Sequence, residues 1–169
     1  MTGRRPWGHD ALPWVLIALL LAVRVPSLVQ PLGPDQSLYA YVAQEIGRGG
    51  WPYLDAWDQK PPGVHLVYAA LLDVWPDDTV IALADLVASG LVALLLVPLG
   101  TWGSGGRKGA GFIAASVFLL LGDPAWQRLG GLRVRSQCEV FIALAVTAAM
   151  FVLWRAMHGR ARGPGSMTP

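Results

Sequence analysis

Three ionisable side chains stand next to the ends of apolar segments, where a reaction at a membrane surface would need them: Asp35, Lys60 and Glu139. A carboxylate within hydrogen-bond reach of a hydroxyl group can act as a general base. A lysine just before a helix adds its charge to the partial positive charge and unpaired N–H groups of the helix N-terminus. Asp35 and Glu139 are therefore candidate catalytic carboxylates, and Lys60, which precedes two prolines, is a candidate site for a lipid phosphate.

Each of these side chains also has a structural interpretation. Asp35 suits the N-cap of a helix, Lys60 can reach the headgroups by snorkelling, and Glu139 complements a helix dipole. Asp85 lies inside the strongest apolar segment, where a carboxylate is a functional candidate. It is about two turns from one end of that segment, so it could also simply reach the interface. The sequence alone leaves these alternatives open.

Composition places these residues in a membrane protein. Of the 169 residues, 54% are apolar and 14% are charged, whereas an average soluble domain has about 25% charged residues. A chain this small has too much surface to bury so many apolar groups in water. The formal charge of +2 is too small for electrostatic binding of nucleic acid, so no nucleic-acid partner is expected. Cys138 is the only cysteine, which excludes an internal disulfide.

Five apolar segments predict the hydrophobic helices. A bilayer core needs roughly 20 apolar residues per helix, and the segments at 11–29, 79–99 and 140–154 meet or approach this length. The segments at 63–75 and 110–122 are shorter, so each predicts a tilted span or a helix that stays at one side of the bilayer. The predicted fold is all-α: an integral membrane helical bundle of about three to five hydrophobic helices plus one interfacial helix.

The interfacial helix is predicted over residues 35–46. Leu38, Tyr41, Val42 and Ile46 share one face at three- and four-residue spacing. Pro34 is a start signal and the glycines after residue 46 are stop signals. The chain then divides into a cytoplasmic start and first transmembrane helix at 1–30, an external loop at 31–62, the remaining membrane helices at 63–157, and a polar tail at 158–169.

The sequence of this loop resembles the first external loop of polytopic GT-C glycosyltransferases. The nearest group is the protein O-mannosyltransferase and lipid A aminoarabinose transferase-like family. Its pattern is an acidic pair before an interfacial helix, a Gly-x-Pro-Tyr-x-Asp turn, and Lys-Pro-Pro entering a helix. The matching stretches are GPDQSLYAYVAQEI at 33–46 and GGWPYLDAWDQKPPG at 49–63, followed more weakly by QCEVF at 137–141.

The resemblance implies transfer of a sugar from a polyprenyl-phosphate donor to a lipid, glycan or protein acceptor at the outer membrane face. It implies that Asp35 lies near the acceptor hydroxyl, that Lys60 binds the donor phosphate, and that Glu139 is in the same external cavity. The implied partners are membrane lipid and the donor. Further residues expected to line the site are Gln36, Tyr53, Asp58, Arg133 and Arg135.

The chain departs from the family pattern at three points. Gln36 stands where the family usually has a glutamate, and Gln59 stands where the aminoarabinose branch has a carboxylate that can bind metal. We therefore carry over no metal site and expect no cofactor, although a divalent metal stays open. The family commonly has about ten or more membrane helices, which 169 residues do not supply at about 1.5 Å per residue. The likeness is thus to the N-terminal part, and the isolated chain is expected to be inactive without a C-terminal partner chain.

The side of the membrane that Glu139 faces depends on the segment at 63–75. The arginine pair near the N-terminus predicts a cytoplasmic start, so Asp35 and Lys60 lie outside in a multi-pass protein of the cell membrane. If all five apolar segments cross, Glu139 is inside. If the segment at 63–75 does not cross, Glu139 is outside, and the basic residues at 107, 108, 155, 160 and 162 face the cytoplasm. The charge bias favours this second arrangement.

Two other functions remain open on the sequence. One is a non-catalytic protein, either a truncated remnant or a binding subunit that works with a partner. The other is a small transporter component that uses Asp73 and Asp85 as an ion path. His65 is ambiguous in the same way, because it too lies in an apolar segment.

Overall fold

The computed structural model describes residues 8–122 and 137–160, without the side chains of 8–10 and 158–160. All regular elements among these residues are helices, which confirms the predicted fold class. Six are α-helices: α1 (Gly8–Ala22), α2 (Pro34–Gly47), α3 (Pro62–Val74), α4 (Thr79–Gly103), α5 (Lys108–Leu121) and α6 (Cys138–Arg160).

Three parts of the described chain are long and apolar enough to cross a membrane: Ala11–Val29, Thr79–Gly103 and Cys138–Met157. The helices Pro62–Val74 and Lys108–Leu121 are apolar but shorter. The chain is therefore a helical membrane protein. The helix α6 continues through Arg160, whereas the apolar span within it ends at Met157. Residues 161–169 lie outside the described part.

The first apolar segment is not the continuous anchor helix that its composition predicts. The helix α1 ends at Ala22, and a short 3-10 helix, Val25–Val29, follows it. Pro26 lies at the start of this 3-10 helix, where its missing N–H prevents continuation of the α-helical hydrogen bonds. The break allows the side chain of Arg24 to turn into the protein, where it is buried.

Arg24 and Asp85 form an ion pair in which both side chains are buried. Arg24 Nη2 lies 2.8 Å from Asp85 Oδ2 of α4, and Arg24 Nη1 donates to the carbonyl oxygen of Gly122, just after α5, at 3.2 Å. The ends of α1 and α5 are thus joined to the first third of α4. Of the two interpretations of Asp85, exposure at the interface is wrong, because the carboxylate is held by Arg24 inside the protein.

The helices α2 and α3 form a hairpin across one end of the bundle made by α1, α4, α5 and α6. Tyr39 of α2 and Tyr68 of α3 share one apolar core with Ile81 in the first turn of α4 and with Phe141 in the first turn of α6. Because α3 packs on the starts of these two long helices, it stays at this end. We call it the polar end, since it carries the candidate residues Asp35, Lys60 and Glu139.

The opposite end is lined by aromatic rings, and we call it the aromatic end. Trp14 of α1 packs edge-on against Phe112 of α5, with ring centroids 4.9 Å apart. Trp102 of α4 and Trp154 of α6 have ring centroids 6.5 Å apart. A cavity of about 750 Å³ lies among these four rings. The ends of α4 and α6 therefore lie together, so the two helices run parallel, with their starts together at the polar end.

Beside the aromatic end, α4 and α5 approach each other closely. A side-chain carbon on Gly111 would lie 2.1 Å from the carbonyl oxygen of Val97, so only glycine fits at this crossing. Ile17, Ala93, Ala115 and Leu119 form a second apolar core in this part of the bundle. Small residues thus allow the backbone contact that fixes how α5 returns to the polar end.

Removing Asp85 should strongly destabilise the bundle, because Arg24 would be left as a buried charge without its partner. We expect Asp85→Ala to lower the free energy of unfolding in detergent micelles by about 3 to 5 kcal/mol. The double variant Arg24→Met, Asp85→Leu should recover most of this loss, because apolar side chains replace both charges.

The matched control is Glu45→Ala, which removes an ion pair with Arg48 on the surface of α2. Exposed pairs contribute at most about 1 kcal/mol, so this variant should unfold almost as the parent does. Similar losses for Asp85→Ala and Glu45→Ala would contradict a structural role for the buried pair.

Candidate functional site

Asp35 lies in the first turn of α2 and its carboxylate is exposed. The N-cap interpretation is wrong: Gly33 is the N-cap, no side chain caps this helix, and Pro34 occupies the first helical position. Pro suits that position because its fixed φ matches the helix, and Asp35 is therefore the second helical residue. The carboxylate instead accepts a hydrogen bond from Gln137, whose Nε2 donates to Asp35 Oδ2 at 3.1 Å.

Gln137 connects Asp35 to a buried tyrosine. The hydroxyl of Tyr39 donates to Gln137 Oε1 at 3.2 Å, so the amide group is oriented from both sides. Tyr39 is buried, and this burial raises its pKa from 10.0 to about 12. Its hydroxyl therefore stays protonated as a donor over the physiological range, and the row Tyr39, Gln137, Asp35 has a defined direction of hydrogen bonding.

Lys60 is held at the end of a loop that folds back on itself. Trp51 N–H donates to Asp55 Oδ2 at 2.8 Å, and Tyr53 N–H donates to the Ala56 carbonyl at 2.7 Å. Tyr53 has a φ of 68°, which a non-glycine residue adopts only when its surroundings fix it. Its hydroxyl donates to the Lys60 carbonyl at 2.7 Å. This hydrogen bond restrains the backbone at Lys60.

The prolines after Lys60 begin α3 as the sequence predicts. Pro61 is the N-cap and Pro62 is the first helical residue. Both residues restrict the backbone, and neither needs an N–H partner at a helix start. The Lys60 backbone is thus restrained directly before the N-terminus of α3.

The first turn of α6 lies against Lys60. Lys60 Nζ is 3.4 Å from Glu139 Oε1 and 3.7 Å from Cys138 Sγ. The acidic groups of Tyr39, Cys138 and Glu139, in that order of effect, raise the pKa of Lys60. The ammonium is therefore charged at neutral pH. The Lys60 side chain is 29% exposed and that of Glu139 is 67% exposed, so a bound molecule can reach both.

The structure brings Asp35, Lys60 and Glu139 to the polar end through consecutive residues of one segment. Gln137 bonds to Asp35, and Cys138 and Glu139 contact Lys60. The cluster offers one cation and two exposed carboxylates at the boundary of an apolar bundle. Such a set can bind an anion and accept a proton from a nearby hydroxyl.

The other residues expected to line the site fall in different places. The Tyr53 hydroxyl donates to the Lys60 backbone carbonyl, and the Tyr53 ring packs against His65. Gln36 is buried at 1% exposure, and Asp58 is buried beside His65. Arg133 and Arg135 lie outside the described residues.

The sequence did not predict that Gln137 and Tyr39 belong to the site, although each residue carried a signal. Tyr39 is four residues after Asp35, a spacing that places two side chains on one face of a helix. Gln137 directly precedes the pair Cys138 and Glu139. Neither signal predicts that Gln137 bonds to Asp35 and Tyr39, because Gln137 and Asp35 are 102 positions apart along the chain.

Among the described residues, no group of three or more His, Cys, Asp and Glu side chains is arranged to hold a metal ion. Comparisons of the chain with protein-family models, with curated proteins and with solved structures find no match.

Tyr39 should ionise at higher pH than an ordinary tyrosine. The difference in near-ultraviolet phenolate absorbance between the parent and Tyr39→Phe isolates this one residue among the four tyrosines. We expect its midpoint at about pH 12 in the folded protein and at about pH 10 after denaturation.

The raised pKa also predicts a pH dependence of stability. The folded state favours the neutral phenol, so this contribution is complete below about pH 10 and is lost as the pH rises toward 12. Tyr39→Phe should lose less stability than the parent over this interval. A folded-state midpoint near 10 would contradict the burial of the hydroxyl.

Proposed function

We propose that this chain is the N-terminal part of a membrane glycosyltransferase and supplies the side chains that bind the donor and activate the acceptor. The enzyme moves a sugar from a polyprenyl phosphate to an acceptor hydroxyl at the outer face of the cell membrane. The observation that carries the proposal is the cluster at the polar end. The partly exposed ammonium of Lys60 lies 3.4 Å from Glu139 in the first turn of α6, and Gln137, directly before α6, binds Asp35. The resemblance of the loop to GT-C enzymes supplies the substrate class.

The proposed reaction is a direct displacement at the anomeric carbon. The acceptor hydroxyl transfers its proton to Asp35 or Glu139 as its oxygen bonds to that carbon. The bond between the anomeric carbon and the phosphate oxygen breaks, and polyprenyl phosphate leaves with the electron pair. Lys60 and the N-terminus of α3 stabilise the negative charge that develops on the leaving phosphate. One displacement inverts the configuration of the sugar.

The proposal places the polar end outside the cell and the aromatic end at the cytoplasm. Because α3 stays at the polar end, α4 and α6 both run from that end to the aromatic end. The basic residues Arg107, Lys108 and Arg155 then lie at or near the cytoplasmic side, in accord with the positive-inside tendency. The proposal also includes a C-terminal partner chain, which would complete the sites for the sugar and for the acceptor.

A non-catalytic binding subunit would use the same three side chains, Asp35, Lys60 and Glu139. The binding experiment with Lys60→Ala therefore tests both the transferase and the binding subunit. Transfer of labelled sugar to a membrane acceptor extract, measured with the chain and with a co-expressed partner, separates them. The transporter hypothesis has less support, because Asp85 is engaged by Arg24 and Asp73 is exposed at the end of α3.

Lys60→Ala should weaken the binding of polyprenyl phosphate, because the variant loses a charge-assisted contact to the phosphate. We expect a loss of about 1 to 3 kcal/mol, which is roughly five- to 150-fold in Kd. Polyprenyl phosphate in detergent micelles is the ligand, and polyprenol without phosphate is the comparison ligand.

Lys108→Ala, at the aromatic end, is the matched control because it removes the same type of side chain. It should leave the affinity for polyprenyl phosphate unchanged. Equal affinities for the parent and Lys60→Ala would remove Lys60 from the donor site.

The proposed orientation predicts which face of the membrane exposes Cys138, the only cysteine. A membrane-impermeant maleimide should label it in intact cells after removal of any outer barrier. The control carries Cys138→Ser and Ser104→Cys, which moves the thiol to the segment between α4 and α5. This variant should react only after permeabilisation. The reverse pattern would place Glu139 inside and end the proposed external site.

A further inference from the structure

An acid and an imidazole are buried together directly behind Lys60. Asp58 is 5% exposed and His65 is 0% exposed. Asp58 Oδ2 and His65 Nε2 are 3.4 Å apart, which is longer than an ordinary hydrogen bond. Asp58 Oδ2 and both ring nitrogens of His65 lack a hydrogen bond of ordinary geometry to any described residue. Burying such groups without hydrogen bonds costs free energy, so we expect the two side chains to have a role that compensates for this cost.

Asp58 is tied to the backbone one residue before Lys60. Its Oδ1 accepts the N–H of Gln59 at 2.6 Å, which closes a tight turn just before the lysine. The carboxylate thus restrains the chain on one side of Lys60, while Pro61 and Pro62 restrain it on the other.

His65 is enclosed by the groups that hold the site. Its ring packs edge-on against Tyr39, with centroids 5.6 Å apart, and against Tyr53, with centroids 6.4 Å apart. The first tyrosine bonds to Gln137, and the second bonds to the Lys60 carbonyl. Burial lowers the pKa of His65, and Asp58 and the Lys60 backbone partly oppose this effect. His65 therefore supports both the Asp35 side and the Lys60 side of the cluster.

The exposed ion pair with Glu139 does not suffice to hold Lys60. Fixing a lysine side chain costs more rotamer entropy than a surface ion pair usually returns. Glu139 is 67% exposed, so its pair with Lys60 belongs to the weak class. The position of the ammonium must therefore depend on the backbone from which the side chain starts.

We propose that Asp58 and His65 are a positioning pair that holds the Lys60 backbone, so that the ammonium stays beside Glu139 and Cys138. This role deepens the proposed function and rests on it for its catalytic meaning. Neither residue touches the substrate: Asp58 fixes the turn before Lys60, and His65 fixes Tyr53 and the first turn of α3. Without the pair, the lysine side chain extends toward the headgroups and the phosphate site loses its cation.

Cys138 reports the position of Lys60 without any ligand. The thiolate is the reactive form of cysteine, and the ammonium 3.7 Å from Sγ favours it. Lys60→Ala should therefore slow maleimide labelling of the solubilised chain at neutral pH. We expect Asp58→Asn and His65→Phe to slow labelling to a similar extent, and to have no further effect when combined with Lys60→Ala.

The direction of the change in Asp58→Asn separates positioning from direct electrostatics. Loss of a nearby negative charge would by itself favour the thiolate and speed labelling, whereas displacement of Lys60 slows it. The matched control is Asp73→Asn, which neutralises an exposed carboxylate at the far end of α3. It should leave labelling unchanged. Unchanged or faster labelling in folded Asp58→Asn and His65→Phe would overturn the proposal.

Binding of polyprenyl phosphate gives the second arm of the test. Asp58→Asn should raise Kd several-fold in the parent background and leave it unchanged in the Lys60→Ala background. Equal losses in both backgrounds would mean that Asp58 acts on the fold in general, which overturns the proposal. If the parent binds no polyprenyl phosphate while the labelling cycle is as expected, the positioning pair stands and the proposed function fails.

Discussion

The arrangement of the protein depends on the burial of one ion pair in an apolar bundle. A charge within a membrane helix needs a partner, and Arg24 and Asp85 satisfy each other at 2.8 Å. This pair fixes the start of α4 beside the end of α1, and the bond from Arg24 to the Gly122 carbonyl brings the end of α5 to the same place. The α2–α3 hairpin connects the end of α1 to the start of α4, so it must lie at that end. The candidate residues meet there as a consequence.

The polar end separates exposed groups from the buried groups that hold them. Asp35, Lys60 and Glu139 are accessible, whereas Tyr39 and His65 are buried behind them. Hydrogen bonds that are shielded from water orient side chains more firmly than exposed ones. A site built in this way keeps its geometry at a boundary where headgroups and water compete for every charge.

The sequence predicts the helices well because their signals are local. Apolar length, Pro62 and the glycines after α2 set helix bounds that the structure confirms within a few residues. The break after Ala22 was missed, although Arg24 and Pro26 carried its signal. The partners of Asp85 and Asp35 could not be predicted, because they lie 61 and 102 positions away along the chain. Only the packing of the helices brings such residues together.

Burial at the start of α2 favours a neutral side chain at Gln36. At 1% exposure, a glutamate at this position would bury a charge at a cost of several kcal/mol unless it were paired. Glutamine keeps the shape and the hydrogen-bonding capacity without the charge. Asp35, one residue earlier, is exposed and bonded to Gln137, so its charge costs little. A glutamine at this position therefore keeps a charge out of the interior, and Asp35 is the accessible carboxylate at the start of α2.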